Sequence, residues 1–295
     1  QAQIRLDGHA IEARLYAESP QTGFLPSTGP LAHFRLPADR IRVDSGVEEG
    51  GEITPFYDPM IAKLIAHAPE RTAAAAVLAE ACGRVEVWPV KTNAGFLARC
   101  LGHPDFVAGA VDTGFIGSRL QDLMPPKEPS PEALAALAAA MLQPLAEDNA
   151  SPWTALTGFR LNAAEPRGVS VMVDGRAVTV APGEPSPDLT VARIGARLIV
   201  FEAGQAFAFG GEDAGAQDDA GGDGVIRSPM PGRIVTARAE VGQKVSKGEA
   251  LVTLEAMKME HVLTAPIDGT VTEVAAEVGA QVSEGAVLVR LDNPA

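Results

Sequence analysis

The stretch LVTLEAMKMEHVLTAP, residues 251–266, places one lysine, Lys258, between Met257 and Met259. Apolar residues alternate on both sides, which predicts one strand that runs into the lysine and another that runs out of it. Tight hairpin turns usually contain glycine, asparagine or aspartate, and this turn has none. It instead exposes two methionines, whose adaptable side chains are common at recognition surfaces. The pattern favours a lysine amine presented to a modifying enzyme; the alternative is an ordinary exposed lysine.

The lysine lies within an internal repeat. Residues 228–255 align without a gap on residues 265–292. The positions shared by the two copies include Pro229/Pro266, Gly232/Gly269, Gly242/Gly279 and Gly248/Gly285. Matching turn glycines indicate two equal β half-units related by a pseudo-two-fold axis, and neither half could bury its apolar face alone. We therefore expect a flattened β-sandwich, with Lys258 in the connection between its halves.

The composition excludes several functional classes. A chain of 295 residues is long enough for two or three domains. A formal net charge of −14 argues against nucleic-acid binding, and no apolar run is long enough to cross a membrane. The five histidines are scattered, so we expect no metal site built from protein side chains. Cys82 and Cys100 are interpreted as reduced core thiols.

Changes in composition along the chain predict its domains and a multidomain α+β fold. Short β-like runs and amphipathic helices fill the first part, and a proline-rich segment marks its end. One helix (132–147) then precedes a series of short strands, including a hairpin (168–182) with alternating residues on both sides of Asp174-Gly175. The predicted divisions are residues 1–120, 125–215, an acidic glycine-rich linker at 211–224, and 225–295.

The E-A-M-K-M-E sequence inside the repeat resembles the biotin carboxyl carrier domain of biotin-dependent carboxylases. In that family the lysine between the methionines carries biotin through an amide bond. The resemblance implies that Lys258 is the attachment point, that Ala256, Met257 and Met259 complete the motif, and that biotin protein ligase is a partner. Lipoyl domains share the fold but typically have an acidic residue before the lysine and alanine or valine after it. A lipoyl carrier is the alternative that the methionines disfavour.

The resemblance extends to most of the first 120 residues. The segments that carry it are GHAIEARLYAESPQTGFLPSTG (8–29), RVDSGVEEGGEITPFYDPMIAKL (42–64), VWPVKTNAGFL (87–97) and VDTGFI (111–116). They are similar to the C-terminal part of a biotin carboxylase, an ATP-grasp enzyme. Phe115, in the last segment, matches a position that can contact the adenine ring of the nucleotide.

Arg42 begins the R-x-[DE]-S segment, whose arginine approaches the ureido group of biotin in this family. A fixed guanidinium aimed there would stabilise the enolate charge that develops on the ureido oxygen. The resemblance therefore implies a catalytic role for Arg42. Otherwise Arg42 is an exposed strand residue, or a partner for Asp44 or Glu48.

The parts of a biotin carboxylase that bind nucleotide and bicarbonate do not occur in this sequence. The glycine-rich loop, the phosphate-binding lysines and the E-x-N-x-R-x-Q-V-E-H segment are all missing. We therefore expect a C-terminal portion of a longer α subunit, with ATP and magnesium bound mainly by an upstream region. Such a chain alone is not expected to carboxylate any substrate.

Residues 125–215 resemble the module that joins carboxylase and carrier in acyl-CoA carboxylase α subunits, a helix wrapped by a β-barrel that contacts the carboxyltransferase β subunit. SPWTALTGFRLN (151–162) is similar to a segment of methylcrotonoyl-CoA carboxylase α subunits, although Trp153 could equally be a core residue. The resemblance implies ATP- and bicarbonate-dependent carboxylation of biotin on Lys258, followed by transfer to 3-methylcrotonoyl-CoA on the β subunit of a hetero-oligomer.

Two alternatives stay open from the sequence. The acyl-CoA could be propionyl-, acetyl- or geranyl-CoA, or the chain could be a non-catalytic biotin carrier and assembly protein. The expected compartment is the cytoplasm of a bacterium, or the mitochondrial matrix in a eukaryote.

Overall fold

A computed structural model describes residues 5, 7–142, 168–173, 176–183, 189–210, 224–257 and 259–292. We call residues 7–124 the first unit, the described part of 125–210 the middle unit, and 224–292 the C-terminal unit. Each unit has its own cluster of buried apolar side chains. Among these residues, no helix combines the length and the apolar character needed to cross a membrane. The predicted linker and Trp153 lie outside the described residues, apart from Gly224.

The first unit combines short strands with four helices in the described chain. They are β1 (His9–Tyr16), β2 (Glu18–Ser19), β3 (Leu25–Pro26), β4 (Gly29–Arg35), β5 (Arg42–Ser45), β6 (Glu52–Ile53), β7 (Met60–Ala68), α1 (Arg71–Gly83), β8 (Glu86–Pro89), α2 (Ala94–Gly102), α3 (Pro104–Val107) and α4 (Phe115–Leu123). A one-turn 3₁₀ helix (Pro20–Thr22) separates β2 from β3.

Strand β7 is the centre of the main sheet of the first unit, with β1 and β5 as its antiparallel neighbours. Its sequence, MIAKLIAHA, is almost continuously apolar, and Ile61, Leu64 and Ala66 are nearly inaccessible to solvent. The helix α1 packs on this sheet, and its small residues Ala81 and Cys82 lie in the shared core cluster, where they permit close approach. The sheet fixes the backbone of β5, where Arg42 lies opposite Ile65.

The middle unit contains one helix and two small sheets. The elements are α5 (Pro131–Leu142), β9 (Val169–Val173), β10 (Arg176–Val180), β11 (Thr190–Ile194), β12 (Arg197–Glu202) and β13 (Gln205–Phe209). Val173 pairs with Arg176, which confirms the predicted hairpin around residues 174 and 175. The strand orders β10-β9 and β11-β12-β13 are separate sheets that share a core with α5. Closure into a barrel stays a prediction.

A turn of the middle unit is inserted against two helices of the first unit. Glu202 pairs with Gln205, so Ala203 and Gly204 alone connect β12 to β13, and both have positive φ angles. The Gly204 amide donates a hydrogen bond of 2.8 Å to the carbonyl of Gly83, at the end of α1. A Cβ on Gly204 would lie 2.7 Å from the Gly95 nitrogen in α2. The absence of a side chain therefore allows the two units to meet through backbone.

The C-terminal unit is the predicted β-sandwich. Its strands are β14 (Val225–Arg227), β15 (Gly232–Ala237), β16 (Lys244–Val245), β17 (Ala250–Ala256), β18 (Met259–Thr264), β19 (Gly269–Val274), β20 (Gln281–Val282) and β21 (Val287–Asp292). They form two four-stranded sheets with orders β14-β21-β19-β16 and β18-β17-β15-β20, which share one buried core. Each sheet contains strands from both copies of the repeat.

Hydrogen bonds of the turns repeat between the halves. The amide of Gly242 donates to Val271, and its counterpart Gly279 donates to Ile234, both at 2.8 Å. These two glycines have φ angles of 90° and 88°, in the left-handed region that side chains disfavour. The pseudo-two-fold symmetry predicted from the repeat is therefore confirmed in the backbone.

Candidate functional site

The hairpin β17–β18 carries the predicted attachment site. Ala256 pairs with Met259, so only two residues connect the strands. The first of these, Met257, has a φ of 50°, in the left-handed region that two-residue hairpin turns require. Lys258 lies outside the described residues, as does the side chain of Met259. Two paired strands thus lead directly to the residues on both sides of the lysine.

Met257 is buried, and this corrects the expectation that the turn exposes both methionines. Its side chain is 4% exposed and belongs to the core cluster of the first unit. Its neighbour Ala256 packs in the core of the C-terminal unit instead. The expectation was wrong for Met257 because the turn packs against the first unit. A local sequence pattern cannot predict such a tertiary contact.

A cavity of about 210 Å³ lies between the hairpin and the first unit. Pro55 and Phe56 line it from the first unit, and Arg233, Glu255 and Met257 line it from the C-terminal unit. Arg233 and Glu255 are cross-strand partners that form an ion pair. The end of the C-terminal unit that carries the hairpin therefore faces residues 55 and 56.

The structure places Arg42 at the surface, on the edge strand β5. Its side chain is 72% exposed, and its guanidinium donates two hydrogen bonds to the carboxylate of Asp44, at 2.9 and 2.8 Å. This pairing raises the pKa of Arg42 and lowers the pKa of Asp44. The alternative in which Arg42 has Asp44 as its partner is therefore present in the structure. Contact between Arg42 and a biotin ureido group stays a prediction.

Phe115 is a buried residue at the start of α4. It packs in an apolar cluster with Phe96, Cys100 and Leu123. His103 meets its ring edge-on at a centroid distance of 5.3 Å. The contact with an adenine ring stays a prediction.

The two cysteines are free and buried, in agreement with their interpretation as core thiols. Burial raises the pKa of Cys82 to about 12 and that of Cys100 to about 11. Neither thiol is therefore activated as a nucleophile.

Glu18 is a buried carboxyl group that no sequence motif marked. It is in β2, and its neighbour Ala17 donates a backbone hydrogen bond to Pro59, at the end of the loop that contains Phe56. Burial and the nearby charge of Asp58 raise the pKa of Glu18 from its ordinary value of 4.5 to about 7. The burial of Glu18 and its closeness to Asp58 both depend on the folded packing, so a sequence pattern cannot predict them.

We expect the ionisation of Glu18 to make the protein less stable as the pH rises. A carboxyl group with a raised folded-state pKa is more favourable when protonated, so its contribution is lost between the unfolded value of 4.5 and the folded value of about 7. Glu18→Gln should remove this dependence, a difference of about 3 kcal/mol at most. The measurement is the free energy of urea unfolding at about pH 5 and about pH 8.

Glu52→Gln is the control, since Glu52 is an exposed acid in the same unit. It should leave the difference between the two pH values as in the parent protein. An equal pH dependence in the Glu18→Gln protein and the parent would contradict the role of Glu18.

His261 is a second titratable residue that no sequence motif marked. It lies on β18 opposite Leu254, and its Nε2 atom is buried without a hydrogen-bond partner among the described residues. Burial lowers its pKa, which favours the neutral imidazole. No spacing with other histidines or acids marked it, because its burial follows from the packing of β18.

Two family models match the chain. Residues 12–118 match the biotin carboxylase C-terminal domain, and residues 224–291 match the model described as biotin-requiring enzyme. The chain therefore contains a biotin carboxylase C-terminal domain and a biotin-lipoyl domain. The first match covers the unit that contains Arg42, and the second covers the repeat and the hairpin. The second match also implies a covalently bound biotin.

Similar proteins include subunits of two acyl-CoA carboxylases. The chain is 34% identical to the methylcrotonoyl-CoA carboxylase subunit alpha of Dictyostelium discoideum, with 89% of this chain and 46% of the relative covered. It is 30% identical to the subunit alpha of Mus musculus, where the shares are 89% and 44%. Identity to the propionyl-CoA carboxylase alpha chain of Ruegeria pomeroyi is 33%, over 89% and 48%. The chain thus spans about half the length of these relatives.

Proposed function

We propose that this chain is part of the α subunit of a biotin-dependent acyl-CoA carboxylase, with biotin attached to Lys258. The observation that carries the proposal is the hairpin in which two paired strands end at Ala256 and Met259. The lysine side chain ends a long aliphatic stem in an amine, and its place in a two-residue connection suits a covalent group carrier. When bound, biotin supplies a ureido nitrogen that accepts a carboxyl group and passes it to an acceptor.

The partners follow from this assignment. Biotin protein ligase attaches the cofactor, and a carboxyltransferase β subunit binds residues 125–215 and holds the acyl-CoA. ATP, magnesium and bicarbonate are used by the whole carboxylase, and we assign their binding mainly to residues outside this sequence. Arg42 of the first unit positions the ureido oxygen of biotin, after exchange of its present partner Asp44.

The proposed acceptor is 3-methylcrotonoyl-CoA. Two methylcrotonoyl-CoA carboxylase subunits, at 34% and 30% identity over 89% of this chain, support this choice. The propionyl-CoA carboxylase relative, at 33%, supports propionyl-CoA as the second candidate. The whole α subunit, reconstituted with its β subunit, should carboxylate one member of a panel of acyl-CoA thioesters in an ATP-dependent bicarbonate-fixation assay. Preferential turnover of propionyl-CoA would favour the second candidate.

The identity of the attached cofactor can be tested directly on this chain by measuring its intact mass. Coexpression with biotin protein ligase should add one biotinyl group per chain. Coexpression with lipoate ligase and lipoate should add none, since the methionines favour biotin. A lipoyl adduct without a biotinyl adduct would overturn the proposal in favour of a lipoyl carrier.

A further inference from the structure

Two apolar side chains are exchanged between the first unit and the C-terminal unit. Met257, from the C-terminal unit, is buried in the core cluster of the first unit. Leu25, from β3 of the first unit, packs in return against the core cluster of the C-terminal unit. Each unit therefore completes part of its partner's apolar surface. The two contacts are reciprocal, and we call the packing of Met257 and Leu25 between the two units the joint.

Both side chains are directed by strained backbone. Met257 has a φ of 50°, and Phe24, immediately before Leu25, has a φ of 65°. Large side chains rarely adopt this left-handed region, so the backbone is strained where a residue other than glycine occupies it. Phe24 packs edge-on against Phe96 at a centroid distance of 4.9 Å, inside the first unit. Phe24 packs inside the first unit, and the next residue along the chain, Leu25, packs against the C-terminal unit.

We propose that Met257 is the docking anchor that seats the Lys258 hairpin on the first unit, and that Leu25 completes the joint. The proposal rests on the proposed function, because docking matters only if Lys258 carries a cofactor to the first unit. In the docked state Met257 holds the end of β17 beside the cavity that Pro55 and Phe56 line from the first unit. Met257 is therefore a positioning residue for delivery of the attached group.

Docking has a consequence for attachment of the cofactor. The sequence around Lys258 is read by biotin protein ligase, and a ligase cannot reach a methionine that is buried in another unit. Met257 can therefore either dock on the first unit or be recognised by the ligase, and it cannot do both at once. The rate of attachment should scale with the fraction of molecules in the undocked state.

The docked state is tested by methionine oxidation, which needs no biotin. The parent for this test carries Lys258→Arg, and peroxide oxidation of each methionine is followed by peptide mass spectrometry. Met172, at 58% exposed, is the internal reference for a free methionine, and Met230, at 2%, is the reference for a buried one in the C-terminal unit. Met257 should oxidise at a rate close to that of Met230, since accessible thioethers react first.

Leu25→Asp places a charge against the core of the C-terminal unit and should open the joint. We expect oxidation of Met257 to accelerate about tenfold or more, towards the rate of Met172, while Met230 stays protected. With Lys258 restored, the same variant should be biotinylated several-fold faster than wild type. The control is Leu120→Asp, at a leucine that is 40% exposed on α4, which should change neither rate.

Leu25→Ser replaces Leu25→Asp if Met230 also becomes reactive, since that result would indicate unfolding of the C-terminal unit. Oxidation of Met257 at the rate of Met172 in the parent would overturn the docking anchor. So would unchanged protection of Met257 in both Leu25 variants. None of these outcomes depends on biotin, whereas loss of all labelling at Lys258 would overturn the proposed function alone.

Discussion

Replacing Lys258 by arginine should abolish biotin attachment completely. Formation of the amide bond needs a neutral amine nucleophile, and the guanidinium of arginine stays protonated and delocalised at any pH that the protein tolerates. The substitution keeps the positive charge and most of the side-chain length, so the hairpin between Ala256 and Met259 should be retained. The measurement is streptavidin binding on a blot, together with intact mass after coexpression with biotin protein ligase.

Lys247→Arg is the control for this experiment. Lys247 also occupies a turn of the C-terminal unit, where its backbone amide donates a hydrogen bond to Asp268. The Lys247→Arg substitution should leave labelling at the parent level. Labelling that persists in the Lys258→Arg protein, or is lost in the Lys247→Arg protein, would contradict the assignment of the attachment site.

Adding one methyl group at Gly204 should separate the middle unit from the first unit. A Cβ there would lie 2.7 Å from both the Cys82 carbonyl oxygen and the Gly95 nitrogen, which are backbone atoms that cannot move aside independently. Gly204 also has a φ of 74°. We expect Gly204→Ala to lower the free energy of unfolding by about 2–5 kcal/mol, the sum of the backbone strain and the steric overlap.

Gly195 provides a control with the same backbone conformation. It occupies the turn between β11 and β12, has a φ of 59°, and has no atom within 4 Å of an added Cβ. Gly195→Ala should therefore cost only the strain, about 1–2 kcal/mol. The measurement is urea unfolding, with hydrogen exchange at the Gly204 amide as a local probe. Equal losses in the two variants would show that the contact with Gly95 contributes nothing.

The C-terminal unit could be predicted from the sequence, and its contact with the first unit could not. The repeat keeps its glycines at fixed positions because Gly242 and Gly279 need left-handed backbone, and that requirement is local. The burial of Met257 depends on residues of the first unit that lie far away in the sequence. A tertiary contact of this kind leaves no periodicity or turn signal near residue 257.

In the candidate site, too, local motifs were predictable from the sequence and tertiary contacts were not. The resemblance predicted roles for Lys258 and Arg42, and the structure adds the bidentate pair between Arg42 and Asp44. The raised pKa of Glu18 was not predictable, because it follows from burial and from Asp58, which is 40 positions away. A sequence motif can therefore predict a role for a residue, whereas a pKa that depends on burial needs the fold.

The mixed strand order of the β-sandwich has a consequence for synthesis on the ribosome. In one sheet β14 pairs with β21, so the first strand of the unit has its partner at the far end. A nascent chain that has emerged only as far as the hairpin therefore has no complete sheet to fold into. Pairings this distant in sequence are formed late and slowly. The Lys258 hairpin should acquire its stable scaffold only after translation has passed residue 292.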